Sequence, residues 1–565
     1  MAIDAVVVGS GAGGAAAAWR LVTRGLRVLL LEAGPRFDPA QDYPLDAAGW
    51  ERRAFPAPPG SRAPILYGDL GACDPADADL AAFDAARPPR PPARRQVSAT
   101  GYAHVLGFGG STLAYTGEAH RLHPDAFRLN GLTGQGADWP LTYADLEPLY
   151  AEVEALVGVA GPDDPGARWR SGPYPMAAHP QSPAARRLGA AAGRLGWQWS
   201  DNARAVLNVG RPGRAPCNYC GQCGRGCPRG DKGSTDVTFL AEAQATGRLT
   251  VETGCSVTRL IAGPGGRIVG VEVVQGGRAR RVETPLLFLC AGAVQTPRLL
   301  LASAPGGIAN GSGLVGRNFM ETLWITLAGL APGLALSQRG LPVDAISWQF
   351  NAPGAVAGAA GGFRLTSATQ EAGLNGPIAH ATRLLAGHGA ALKEALRATF
   401  GSALAVAGVA ETVPDGQSRI TLSADRRDAA GVPLPVIHSV LTPNSVALLH
   451  AMARAARRLL AEAGVARVVE QYGSWDAFTT THVFGTCRMG RDPARSVTDP
   501  WGRAHDHPNL YVADASLFPS TGGGESPSLT IAALALRARP VPVTGKVITR
   551  TFQSRLPKFD RLYNA

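Results

Sequence analysis

Residues Ala5 to Glu32 constrain this chain more than any other stretch. A short apolar strand, Ala5 to Val8, runs into the turn Gly9-Ser10-Gly11-Ala12-Gly13-Gly14, then a helix of small residues through Leu21 and a second apolar strand, Val28 to Leu31. Gly9, Gly11 and Gly14 fit G-x-G-x-x-G. The first glycine permits the tight turn, the second lets backbone approach a pyrophosphate, and the third lets helix pack close on strand. The free N–H groups and dipole of the helix N-terminus, reached at Ala12, favour a phosphate. Glu32 follows about 20 residues on, where an acidic side chain accepts hydrogen bonds from an adenosine ribose. Taken alone, the unit serves NAD or FAD and fixes a Rossmann-like α/β start.

At 565 residues the chain is too long for one compact core, so two domains, interleaved, are expected. The formal charge is +11, but the arginines are scattered and no basic run carries interleaved aromatics, which argues against nucleic acid as a partner. No run approaches the ~20 apolar residues of a membrane span. The N-terminus lacks a basic leader and cleavage site, so a cytoplasmic location is expected. Eight cysteines, four of them between 217 and 227, do not read as a secreted disulfide framework in a chain this long.

After Glu32, residues 35–100 are rich in Pro, Ala, Asp and Arg with little periodicity, the pattern of a long loop covering a ligand. A second glycine cluster follows, Gly107 to Thr112, containing Gly109, Gly110 and Ser111. Apolar spacing predicts a helix over 143–157, with Thr142 or Asp145 near its cap. A short helix is predicted over 237–245, then strands near 249–251, 257–261, 268–274 and 280–289. A helix over 296–302 is predicted to carry Pro297 in its first turn. From 305 to 480 the pattern changes to alternating strands, including 322–330 and 345–350, with helices near 387–400 and 444–463. A strand at 510–512 ending in Asp514 and a helix over 529–539 close the pattern.

The cysteines are spaced Cys217-x2-Cys220-x2-Cys223-x3-Cys227-Pro228. That is ferredoxin-like spacing for an iron–sulfur cluster. Four thiolates also suit tetrahedral zinc, and free thiols or disulfides stay open.

Several motifs in order give a resemblance across nearly the whole length: the fingerprint with Glu32, Gly109-Gly110-Ser111, Gly292-Ala293 to Pro297 with Leu299-Leu300-Leu301, His482 in H-V-F-G-T-C-R-M-G, and D-A-S-L-F-P at 514–519. Together they resemble the glucose-methanol-choline (GMC) oxidoreductases, which bind FAD and oxidise alcohols by hydride transfer to flavin N5. Arg419-Ile420-Thr421-Leu422 and the cysteine run are most similar to the branch of bacterial sugar and alcohol dehydrogenases. The resemblance implies a Rossmann-like FAD-binding domain (1–304, with lid loop 35–100 and cysteine cluster 217–227), an interleaved α+β substrate domain on an antiparallel sheet (305–480), a return to the FAD domain with catalytic residues (481–545), and a tail (546–565).

Residue by residue, it implies that Gly9, Gly11, Ala12, Gly14 and Glu32 hold the ADP half of FAD. Gly109, Gly110, Ser111 and Thr112 lie against the pyrophosphate or isoalloxazine, Val257 touches adenine, and Asp514, Ala515 and Pro527 border the rest of the cofactor. His482 becomes the general base, which suits an imidazole whose ordinary pKa lies near neutrality. In that branch a cluster relays electrons from FAD to an acceptor or redox partner. The open alternatives are an oxygen-using alcohol oxidase and a flavin electron-transfer subunit with no substrate of its own.

Two departures stand out. The family carries a second histidine or asparagine before P-x-L-T, where this chain has Ser526 before Pro527. Ser526 hydrogen-bonds the substrate oxygen, or the loop brings Glu525 inward as a carboxylate that favours a cationic or amino-bearing alcohol. After Gly316-Arg317-Asn318-Phe319-Met320 the family usually continues to a histidine, whereas Glu321-Thr322 follows here.

Overall fold

The computed structural model describes residues 3–45, 51, 55, 62–63, 65–67, 101–163, 168–475 and 479–539. The loop expected over 35–100 lies mostly outside the described residues, and the tail 546–565 wholly so. Among the described residues no helix is long and apolar enough to cross a membrane.

Five parallel strands form the first layer, in spatial order Leu510–Val512, Leu287–Leu289, Ala5–Val8, Val28–Leu31 and Leu249–Glu252. The first four of these are unbroken apolar runs buried along their length, as expected where a parallel sheet is covered on both faces. On one face the helix Ala12–Thr23 packs on Ser528–Arg537, which packs on Tyr143–Val157. The last of these opens on a capping box formed by Thr142 and Asp145 and stops at left-handed Gly158. A three-stranded antiparallel meander, Cys255–Ala262, Ile268–Gln275 and Arg278–Glu283, lies beside the sheet. This is the Rossmann-like α/β layer that the fingerprint predicted.

The second layer is a six-stranded antiparallel sheet ordered Val468–Gly473, Leu323–Leu330, Ala403–Ala410, Phe363–Ser367, Ala345–Phe350 and Ser200–Asp201. The helix Pro443–Glu462 buries Leu448, Leu449, Met452 and Leu459 against it. The helix Pro183–Arg194 joins the same core. Segment 183–201 therefore contributes a helix and an edge strand to a layer built mainly from 323–473.

One predicted element differs in a way that matters. The helix after Cys290 runs Gly292–Ala302, so Pro297 sits inside it rather than in its first turn. Proline has no N–H to donate to the carbonyl four residues back. That carbonyl, Ala293 O, instead accepts from Thr486 Oγ1 at 2.9 Å. The gap left by Pro297 thus docks the segment that carries His482.

Candidate active site

The C-terminal ends of the parallel strands open onto one crevice, the usual ligand position in such sheets. Glu32 lies there, buried, with Oε2 accepting from Ser10 N (3.0 Å) and Ser10 Oγ (2.5 Å) and Oε1 from Gly34 N (2.9 Å). Burial raises its pKa and those hydrogen bonds oppose the rise. Ser10 also joins the two glycine clusters: its Oγ accepts from Gly109 N (2.9 Å), and Thr235 Oγ1 donates to Ser10 O (3.1 Å). Thr112 Oγ1 donates to Gly109 O (2.6 Å) and accepts from Thr235 N (3.0 Å). Ser111 Oγ accepts from Val105 N (3.2 Å) and holds the approach to the second cluster.

The residues present fit a dinucleotide. A Cβ on Gly11 would meet nothing within 4 Å, leaving open space at the N-terminus of the Ala12–Thr23 helix, and Gly110 packs directly over Gly11. A cavity runs on from there, lined by Ala12, Thr112, Tyr115, Glu118, Thr235 and Ser528. Val257 lies in the strand whose Cys255 N–H donates to Glu32 O (2.9 Å). Gly14 is different, because its Cβ would stand 1.9 Å from Gly9 O. Gly14→Val is therefore expected to abolish flavin retention and folding together, read from the flavin-to-protein absorbance ratio and soluble yield. Gly11→Ala is expected to keep the fold while weakening the cofactor.

Asp514 closes the other end of the crevice. Its carboxylate accepts from Gly292 N (2.8 Å), Thr296 Oγ1 (2.5 Å), Ser516 N (2.9 Å) and Ser516 Oγ (2.6 Å). The side chain is thus committed to the protein, starting the Gly292–Ala302 helix and capping the turn Ala515–Leu517. What remains for a cofactor at this point is the backbone around Ala515. Pro527 precedes the Ser528–Arg537 helix, whose Ile531 and the neighbouring Ala513 O press on Gly13 so closely that no side chain fits there.

His482 precedes the two-residue strand Val483–Phe484, paired antiparallel with Met320–Glu321. Beyond it the chain is fixed on three sides. Gly485 N donates to Ala515 O (3.1 Å), Thr486 N to Arg317 O (3.1 Å), and Cys487 N to Ser516 O (3.0 Å). Gly485 lies at φ +72° with its Cβ position 2.1 Å from Asn318 O, so glycine is required. His482 is held through its backbone by Thr480 Oγ1, and its imidazole is half-buried with no hydrogen bond among the described residues. Burial pushes its pKa down to about 4, while Glu118 acts to raise it and Arg364 to lower it further. Glu321, beside it in the pairing, is buried, accepts from Ser439 Oγ (2.6 Å), and is pushed up to about 8 by burial.

Ser526 and Glu525 point into different surroundings. Ser526 N donates to His120 Nδ1 (3.1 Å), which places the His120 proton on Nε2, facing Asn202 Oδ1 at 2.8 Å. Asn202 Nδ2 donates to Glu118 Oε1 (2.8 Å), and Ser526 Oγ donates to Glu118 Oε2 (3.0 Å). These four side chains close a ring. Arg364 clamps it, donating to Glu118 Oε2 (2.9 Å) and Gly524 O (2.6 Å). Burial works against the charge on Glu118, but Arg364, His120, Arg204 and Asn202 outweigh it and hold the pKa below the ordinary range. Glu525, fully buried, has Oε1 accepting from Arg168 (2.6 Å), Asn351 Nδ2 (3.0 Å) and His123 N (3.0 Å).

Glu118, His120, Asn202 and Arg364 were not singled out from the sequence. The available signal was the run Glu118-Ala-His120-Arg121, four positions of which three are titratable, directly behind a glycine cluster.

The cysteines lie on one loop tied to the back of the second glycine cluster: Lys232, fully buried, donates to Leu113 O (2.7 Å), Tyr115 O (3.0 Å) and Cys223 O (2.7 Å). Their thiols do not form a ligand set. Cys217 Sγ accepts from Tyr219 N (3.3 Å) and the Cys227 thiol donates to Asp231 Oδ1 (2.9 Å). Burial raises the pKa of Cys217 to about 12, of Cys227 to about 11, and of Cys220 as well. Among the described residues no three His, Cys, Asp or Glu side chains are placed to hold a metal ion. The side chains as placed therefore do not fit an iron–sulfur cluster or zinc.

Two models described as GMC oxidoreductase match residues 136–323 and 414–535, and one described as an NAD(P)-binding Rossmann-like domain matches 7–37. The chain is 32% identical to 6'''-hydroxyparomomycin C oxidase of Streptomyces lividus, over 94% of this chain and 90% of that one. It is 28% identical to the fructose dehydrogenase large subunit of Gluconobacter japonicus, over 95% of this chain and 97% of that one. The solved structure of a pyridoxine 4-oxidase from Mesorbium loti shares the fold, with a TM-score of 0.57 at 19% identity, over 95% of this chain and 98% of that one. With GMC oxidoreductase models matched over 136–323 and 414–535, more than half of its length, the chain belongs to the GMC oxidoreductase family.

Proposed function

We propose that this chain oxidises a primary or secondary hydroxyl of a sugar, polyol or related small molecule to the carbonyl, with His482 as general base. The observation that carries this reading is the placement of His482: a half-buried, neutral imidazole with no hydrogen bond among the described residues, fixed through its backbone where the two layers meet. FAD, when bound by the crevice, supplies the hydride acceptor. The chain's own part is to hold the alcohol, exclude water and take the hydroxyl proton on an imidazole nitrogen as the carbon hydrogen departs. The similar proteins named for hydroxyparomomycin and fructose support a polyhydroxylated substrate.

The test is anaerobic addition of sugars, amino sugars and polyols to the FAD-loaded protein. Loss of flavin absorbance with at least one of them is expected. No bleaching by any, in protein whose flavin dithionite still reduces, would favour an electron-transfer subunit instead. Relative reoxidation by oxygen and by an artificial acceptor then separates oxidase from dehydrogenase. The spacing of Cys217, Cys220, Cys223 and Cys227 supports an iron–sulfur cluster under the dehydrogenase reading, but the placement of their side chains does not, so no electron-transfer step is assigned to them. Stoichiometric iron and acid-labile sulfide in anaerobically prepared protein would reinstate the cluster.

A further inference from the structure

We propose that Glu371 determines specificity: it is a substrate-facing carboxylate that receives an ammonium group, so that the enzyme prefers amino-bearing polyols. The inference rests on the oxidation reading above. Glu371 lies in the turn after the strand Phe363–Ser367, whose Arg364 donates to Glu118 Oε2 (2.9 Å). The turn is fixed on both sides of Glu371. Ala372 N donates to Ala368 O (2.8 Å), Gly373 N to Gln370 O (2.9 Å) and Leu374 N to Thr369 O (3.0 Å). Gln370 Nε2 donates to Gly340 O (2.7 Å), and Ala372 O accepts from Arg383 (2.6 Å). The Glu371 carboxylate itself makes no hydrogen bond or ion pair among the described residues.

The side chain is exposed, yet burial pushes its pKa up to about 7. Open solvent produces no such shift, so the space that Glu371 meets is enclosed by protein. Three charged groups act on it there: Glu118 raises the pKa, and Arg364 and Arg204 lower it. Glu118 and Arg364 also act on the half-buried His482, and Glu118 lines the cavity that starts at Ala12. Glu371, His482 and the cofactor cavity are thus gathered around one ion pair. The neighbouring carboxylates are committed, Glu118 to Arg364 and Glu525 to Arg168, and Arg204 donates to Pro342 O and Thr116 O. Glu371 keeps an unshared charge in an enclosed space, which is unfavourable until a cation joins it. A substrate hydroxyl answers one lone pair; an ammonium answers the lone pair and the charge.

The experiment is calorimetric titration of the FAD-loaded protein with glucamine and with sorbitol, which differ only in carrying an ammonium or a hydroxyl at one end. At about pH 8, where Glu371 is ionised, glucamine is expected to bind about tenfold to a hundredfold more tightly, the usual range for a hydrogen bond to a charged group. Glu371→Gln should bring glucamine down to the sorbitol value and leave sorbitol unchanged, with flavin content kept and thermal unfolding not lowered. The preference has a definite pH sign. Below its pKa Glu371 is protonated, so wild-type affinity for glucamine should fall about tenfold from about pH 8 to about pH 6, while its alkylamine stays charged. Binding at the lower pH should release a proton, read as a heat that depends on the buffer. Sorbitol affinity should stay flat.

Equal affinity for glucamine and sorbitol, no measurable binding of glucamine, or a preference that survives in Glu371→Gln would overturn the proposal. The wild-type pH series reads the same group without any substitution. Failure of the oxidation reading looks different: no alcohol would bleach the wild-type flavin, and His482→Ala would change nothing, whatever the calorimetry shows for glucamine.

Discussion

Replacing His482 with alanine is expected to lower the rate of anaerobic flavin reduction by about 10²- to 10⁴-fold, the range of one positioned general base, without loss of FAD. Retention is expected because the structure ties His482 to the protein only through its backbone and Thr480. The sheet ends, Glu32 and the glycine clusters are untouched. Burial lowers the pKa of the imidazole to about 4, so it is neutral and competent through the physiological range. The rate should rise with pH through the acid limb and then stay flat, with no inflection near the ordinary value of 6.5.

The same shift carries a stability consequence with a definite sign. Because the folded pKa lies below the unfolded one, the contribution of neutral His482 is present above about 6.5 and lost as pH falls toward 4. His482→Asn should therefore weaken the acid sensitivity of thermal unfolding while slowing flavin reduction. A rate unchanged by either substitution would remove His482 from the chemistry.

What the sequence reveals here divides along range. The Gly9 to Glu32 unit was legible because its residues sit within one strand-turn-helix-strand unit and each has a local steric or electrostatic reason. The helix over 143–157 was legible for the same reason, through its apolar spacing and its Thr142–Asp145 cap. His482 was legible only through its neighbours Gly485 and Thr486. Their roles lie in contacts with Asn318, Arg317 and Ala293 that no periodicity predicts.

Proline is ordinarily confined to the first turn of a helix, and the sequence around Pro297 reads that way. The real helix begins earlier, and a hydroxyl from 189 residues further along the chain fills the missing hydrogen bond. Glu118 and His120 were invisible for the same reason. Their partner Ser526 stands more than 400 residues away in sequence, and a buried ring of hydrogen bonds leaves no repeat or spacing behind.

Breaking the pair of Arg168 and Glu525 should produce the largest stability loss, because both groups are buried and one charge would be left without its partner. Their side chains are 8% and 0% exposed. Glu525→Ala is expected to destabilise the protein by about 3–5 kcal/mol, the typical result of removing one member of a buried pair. Arg168 would keep Asn351 Oδ1 (2.7 Å) and Arg121 O (2.5 Å) as acceptors but lose its counter-charge, and Asn351 and His123 N would each lose an acceptor. Glu525→Gln should lose less, since it retains a carbonyl for those donors. Arg168→Met combined with Glu525→Gln should recover part of the loss, because a buried pair replaced as a whole is tolerated better than one cut in half.

The pH dependence follows from the lowered pKa of Glu525, which Arg168 and Asn351 hold down against the effect of burial. The stabilisation is present above the unfolded value near 4.3 and is lost as pH falls through the lower folded value. The difference in thermal midpoint between wild type and Glu525→Gln should therefore be full at neutral pH and shrink in acid.

The same variant tests selectivity. With its charge neutralised by Arg168, Glu525 has none to spare for a substrate ammonium, so Glu525→Gln should change KM for amino-bearing and neutral substrates by the same factor. A selective rise for the cationic ones would instead make Glu525 a substrate-facing carboxylate. The anchor explains why equal change is the expected outcome. Asn351 Nδ2 donates both to Glu525 and to Gly523 O (2.8 Å), so loosening Glu525 loosens the loop at 522–526, an effect that does not depend on the charge of the substrate.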